Sequence, residues 1–190
     1  MSFFADLPAF EPEPPPPHHP WEPPEAAFPG VVSIDTLQLG RTEQVAVAIT
    51  GMSAYPAGFE ILVTARIRPS AGDLANRPPD APQDLAAIRR SFRFGMRLSD
   101  GSKVIGQLGG RGPDRDSEPA GPILRTFMGG GGPRSFFSRW WAWPLPPAGP
   151  MEFVCEWPGF GIAETRAGLD AQLILDAARR SVQLWPEDEG

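Results

Sequence analysis

Residues 139–165 read R-W-W-A-W-P-L-P-P-A-G-P-M-E-F-V-C-E-W-P-G-F-G-I-A-E-T and hold four of the six tryptophans and the single cysteine. After Pro150, the residues Met151, Phe153, Cys155 and Trp157 alternate with Glu152, Val154 and Glu156. That two-residue period marks a half-buried β-strand. Before it, Trp141, Trp143 and Leu145 share one face and Trp140 takes the other. Pro144 and Pro146 lack the donor a ladder needs, so they end the first strand. The stretch is expected to form a hairpin of two strands joined by a tight proline-glycine turn. Each large aromatic can bury roughly 150–250 Å², which places this hairpin at the centre of a core.

The same period recurs upstream. Phe59, Ile61, Val63, Ala65 and Ile67 alternate with Glu60, Leu62, Thr64, Arg66 and Arg68, the clearest strand in the chain. Phe92, Phe94, Met96 and Leu98 alternate with Arg93, Gly95 and Arg97, and Asp100-Gly101 is a hairpin turn leading to Val104. Further strands are expected at Val32–Leu37, Val45–Ile49, Ile123–Phe127 and Gly161–Gly168. Gly51–Gly58 and Gly129–Gly132 read as loops. Late in the chain the period changes: Leu173, Ile174, Ala177, Ala178, Ser181, Val182, Leu184 and Trp185 recur at helical spacing. A helix is expected over about 171–184, with Asp170 as its cap and Pro186 as its stop. About seven strands joined by turn-rich loops describe a mainly β protein, an antiparallel β-sandwich with one C-terminal helix. An immunoglobulin-like architecture is the expectation for its layout.

The N-terminal end differs. Residues 1–29 carry Pro12, Pro14 to Pro17, Pro20, Pro23 and Pro24, and they are expected to be a disordered, acidic tail ahead of a single domain over 30–190. Phe3, Phe4, Leu7 and Phe10 cluster before the prolines, and a short helical turn would present them together to a groove on a partner. The alternative is that they fold back on the domain. The connections 69–90 and 109–121 are long and rich in proline, glycine and charge.

Composition narrows the function. The net charge of −6 and pI near 4.9 argue against nucleic acid, whose phosphates need a basic field. Of the 17 basic residues only Lys103 is lysine, a bias that points to a GC-rich genome. No apolar run approaches the ~20 residues of a membrane span, and one cysteine cannot make an internal disulfide, so a cytoplasmic protein is expected. His18 and His19 stand without further ligands at metal spacing, and no cofactor motif is present.

Three constellations remain as candidate sites. Gly129–Gly132 is followed by Pro133-Arg134 where a phosphate loop needs Lys-Ser/Thr, so a flexible connection is the better reading. Trp140, opposite Trp141 and Trp143, is either a surface aromatic for sugar or protein contact or is covered by other parts of the chain. The outward charges Arg66, Arg93 and Arg97 would pair with Glu60, Glu152 and Glu156 if their strands are neighbours. Glu152 and Glu156 stand on the order of 13 Å apart along the strand, beyond the roughly 5–9.5 Å of a carboxylate pair in glycoside hydrolysis.

The W-W-A-W-P-L-P-P-A-G-P-M-E-F-V-C-E-W-P run, with the opening M-S-F-F-A-D-L-P, resembles a group of high-GC actinobacterial proteins of unassigned function. The resemblance implies a shared fold and transfers no catalytic residue. The expected function is that of a non-enzymatic β-sandwich acting by protein–protein interaction, with the tail as a docking segment. A ligand- or carbohydrate-binding sandwich is the alternative, and an enzyme with an unrecognised site the third reading.

Overall fold

The computed structural model describes residues 19–69, 91–107, 118–132 and 134–185. Among these residues, twelve strands and one short α-helix follow in chain order, with a 3-10 turn at Pro158–Phe160 after β10: β1 (Ala27–Phe28), β2 (Gly30–Val31), β3 (Leu37–Arg41), β4 (Val45–Ala54), β5 (Phe59–Ile67), β6 (Arg93–Arg97), β7 (Lys103–Gln107), β8 (Ile123–Gly132), β9 (Ser135–Trp143), β10 (Pro150–Trp157), β11 (Ile162–Asp170), α1 (Gln172–Ala178) and β12 (Val182–Gln183). One sheet has the order β2-β4-β5-β9-β8, with β3 sharing the β4 edge; the other has the order β11-β10-β6-β7. All strand pairings among the described residues are antiparallel. The two sheets enclose one core, a β-sandwich. In the immunoglobulin sandwich consecutive strands likewise sit in opposite sheets and pair with a second such couple, and here β5 and β6 pair with β9 and β10. The order fits the immunoglobulin-like layout.

The inward residues are those the alternation selects. Val63, Ala65, Phe94, Met96, Phe153, Cys155 and Trp157 are buried together with Trp140 and Ala142. An aromatic seam joins the sheets: Phe94 meets Trp140 at a ring separation of 5.3 Å, and Phe136 meets Trp157 at 6.0 Å. Trp140 is fully buried, and its indole N–H donates to Ser138 Oγ at 2.8 Å. Ser138 is the one fully buried polar side chain among the described residues, and this bond satisfies a donor that would otherwise be costly to bury.

Several expectations need correction. β9 and β10 are not a hairpin. β9 pairs with β5 and β8, and β10 pairs with β6 and β11. The prolines between them deny ladder bonds, and the connection instead carries the chain from one sheet to the other. The first strand is not Val32–Leu37 but two pieces, β2 and β3, laid end to end along β4. β4 itself runs through the expected loop as far as Ala54. A bulge between Ile49 and Gly51 shifts its parity, so Val45, Val47 and Ile49 point inward before it and Met52 and Ala54 after it. Gly129–Gly132 is not a loop either: it continues β8, in register with Ser138 to Ser135 of β9.

The helix is shorter than expected. Ala171, Ile174, Ala177 and Ala178 bury one face against the sandwich end, where Gly30 lies so close that an added Cβ would stand 1.9 Å from the Ala177 carbonyl oxygen. The N-cap is Ala171, not Asp170, and it makes no side-chain cap bond; Asp170, one residue ahead, accepts the Gln172 N–H at 2.9 Å. After Arg180 the chain extends into β12, leaving Val182 and Trp185 exposed. β12 pairs with β1, so the last eleven residues of the expected tail belong to the fold. Trp21 is 8% exposed, His19 stacks on it at 4.6 Å, and the Trp141 indole N–H donates to the Trp21 carbonyl at 2.8 Å. No helix of the described residues is long and apolar enough to cross a membrane.

The seam makes a sharp demand on β7. A Cβ at Gly106 would lie 2.3 Å from Trp140 Cζ3 and 2.9 Å from Cε3. Gly106→Ala is expected to destabilise the fold by about 1–3 kcal/mol through overpacking, read as a lower urea midpoint. Gly121→Ala meets nothing within 4 Å and should stay within about 0.5 kcal/mol of the parent.

Candidate binding groove

The outer face of the β11-β10-β6-β7 sheet carries the site. Register sets one row across it: Ile105 on β7, Gly95 on β6, Val154 on β10 and Arg166 on β11. Because Gly95 has no side chain, the row dips there, and a groove of about 300 Å³ opens between the neighbouring strands. Its floor is Gly95 and Val154. One wall is Ile105, whose side chain is 76% exposed. A Cβ on Gly95 would stand 2.9 Å from the Val104 carbonyl oxygen, so the strand spacing itself favours glycine at this point.

Charged pairs form the rim on either side of that row. Arg93 Nη1 meets Glu156 Oε2 at 2.7 Å, and Arg97 binds Glu152 through Nε at 3.0 Å and through Nη2. Both pairs lie directly opposite in the β6–β10 register. Arg166 reaches Glu152 at 3.5 Å and Glu164 at 2.8 Å. Its hydrogen bond to Glu164, with the nearby negative charge, raises the guanidinium above its ordinary value. Lys103 lines the groove with no ion-pair partner among the described residues. The arrangement offers an apolar notch, two neutralised rims and one spare cation. Such a surface suits the insertion of an apolar side chain beside a carboxylate.

The expected cross-strand pairing is thus present for Arg93 and Arg97 with Glu156 and Glu152. Arg66 lies elsewhere, on β5 opposite Ser135, and Glu60 faces Arg139 at 3.8 Å on the other sheet. Trp140, the candidate surface aromatic, is corrected outright: it is 0% exposed. Alternation placed it opposite Trp141, and both sides of β9 prove to be covered. Trp140 faces the main core, while Trp141 is 2% exposed beneath Trp21, Ala27, Tyr55 and Ile123. Phe3, Phe4, Leu7 and Phe10 lie outside the described residues, as do 70–90 and 109–117 of the two long connections. Gly95, Ile105 and Val154 escaped the sequence reading. The available signal was the single glycine in an otherwise Arg-x-Arg outward row.

No family model, curated protein or solved structure matches this chain.

Among the described residues no group of three or more His, Cys, Asp or Glu side chains is placed to hold a metal ion. Cys155 points into the core, where burial pushes its thiol up from 9.0 to about 12. The thiolate is the reacting species, so native Cys155 should resist a thiol reagent at pH 8 and react only on unfolding. The linkage has a definite sign. Above pH 9 the unfolded chain ionises at this residue while the folded one does not, so stability falls between pH 9 and about 12. Cys155→Ala should remove that component of the alkaline loss in a pH series of thermal melts.

Glu152 serves two arginines. Both are partly exposed, so Glu152→Gln is expected to lower stability by no more than about 1 kcal/mol, and the loss should shrink in 1 M salt.

Proposed function

We propose that the protein is a binding module that acts through protein–protein contact, with the groove at Gly95 as its recognition site. The observation that supports this reading most is Ile105, a large apolar side chain left standing in water beside an apolar notch with a charged rim. An exposed apolar patch rimmed by polar residues is a mark of a contact surface. The preferred partner segment carries an apolar side chain for the notch and an acid for Lys103. The segment holding Phe3, Phe4, Leu7 and Phe10 is a proposed second docking element, contributing by linkage to the same chain. A reducing, cytoplasmic setting suits the single free thiol.

The test is a comparison of partners captured from native extract by the full chain, by Ile105→Ser, by Val154→Arg, and by a Phe3/Phe4/Leu7/Phe10→Ala chain. A partner recovered by the parent should bind the two groove variants at least about tenfold more weakly, which corresponds to about 1.4 kcal/mol. Equal affinity for parent and groove variants would overturn the groove as the site. Loss confined to the four-alanine chain would move recognition to the N-terminal segment.

A further inference from the structure

A second site lies on the opposite sheet. We propose that Arg125 holds a carboxylate in the small outer core beneath Trp21. Arg125 on β8 stands directly opposite Trp141 on β9 and shares its face with Ile123, two residues earlier. Ile123 and Trp141 pack in one cluster with Trp21. In that setting Arg125 Nε and Nη2 are shut off from solvent and have no hydrogen-bond partner among the described residues, and Trp21 Nε1 is in the same condition. Trp21 is more than nine-tenths buried. All three are donors, and none has an acceptor.

The pattern points to one ligand chemistry. Nε and Nη2 form the side edge of the guanidinium, two parallel N–H bonds that match a carboxylate. The protein uses that edge elsewhere. Arg97 turns Nε and Nη2 to Glu152, and Arg166 turns Nε and Nη2 to Glu164 at 3.2 and 2.8 Å. At Arg125 the same fork is desolvated and has no acceptor among the described residues. Buried donors in native proteins are nearly always satisfied, and an exception marks an unseen ligand, ion or water. The Trp21 indole N–H, in the same cluster as Ile123 and Trp141, is a third donor without a partner among the described residues, and a charged fork prefers an anion to a neutral acceptor. Arg125 keeps part of its surface exposed, which gives a small anion a way in. Two sources share this chemistry. One is Asp6, Glu11 or Glu13, the acids of residues 1–18, a segment with no lysine or arginine. The other is an acid from outside the chain.

The test follows the Arg125 Nε–H and Trp21 Nε1–H signals in ¹H–¹⁵N spectra during titration with acetate, with chloride at equal ionic strength as the control. It uses the full chain and a full-length Asp6→Asn, Glu11→Gln, Glu13→Gln chain. If the protein's own acids fill the site, the full chain is unresponsive. The substituted chain then shows both signals displaced, and acetate returns them saturably. If the acid comes from outside, the full chain itself shifts saturably at both signals. Either result supports the site, and Arg125→Lys, which keeps the charge and loses the fork, should abolish the Trp21 response. The proposal is overturned if neither chain responds, if chloride acts equally, or if a folded Arg125→Lys chain responds unchanged. A Lys variant that fails to fold leaves the first two criteria decisive.

Discussion

The structure depends on one close approach, that of the Trp140 indole to the backbone of Gly106. The indole projects from the first sheet, meets Phe94 of the second, and lies where a side chain at position 106 of β7 would have to be. Interiors are packed near crystal density, so a residue of this size admits few alternatives around it. With Trp140 in place, its donor needs Ser138 on the same face of the same strand. The spacing between the sheets is then set by rings rather than by aliphatic chains, and Phe92, Phe136, Phe153, Trp157 and Phe160 extend the same layer.

This seam explains why the two outer faces differ. β9 carries tryptophans on both sides, and one layer cannot hide both sets. Trp141 and Trp143 therefore require a second cover, which the segment around Trp21 supplies with a backbone acceptor for the Trp141 indole. The outer face of the other sheet has no such bulky residues. It is left open, with ion pairs along its rows and a shallow depression where a glycine interrupts them. One face is closed by the chain itself, and the other stays uncovered by the described residues.

The legibility of the fold follows the same logic. β5, β6 and β10 were plain in the sequence, since a strand with one side in the core and one in water writes its period directly. β4 was half legible, because its bulge at Gly51 reverses the alternation midway. β8 hid its length, since four glycines carry no pattern at all, and Phe137 of β9, not a side chain of β8, covers Gly130. Adjacency in sequence suggests a hairpin of β9 with β10, while β9 in fact pairs with β8 and with β5, the latter 83 residues back at Phe59 against Ala142 (142 − 59). Long-range pairing leaves no local mark. The groove was illegible for a related reason: it is made by what Gly95 lacks, and its walls come from four strands. The rim pairs were readable as candidates, and only the register could join Arg93 to Glu156 and Arg97 to Glu152.

The short ribbon of β1 and β12 has a mechanical consequence. Ala27, where the chain enters it, lies across from Gln183, where the chain leaves, and one further bond ties Leu184 N–H to the Ala26 carbonyl at 2.9 Å. Among the described residues, the chain therefore enters and leaves this ribbon side by side. Tension applied between entry and exit peels this ribbon open one rung after another instead of shearing all its rungs together. The long ladders of the sandwich stay unloaded until that clasp has parted, and a covalent link between entry and exit would spare it any load at all.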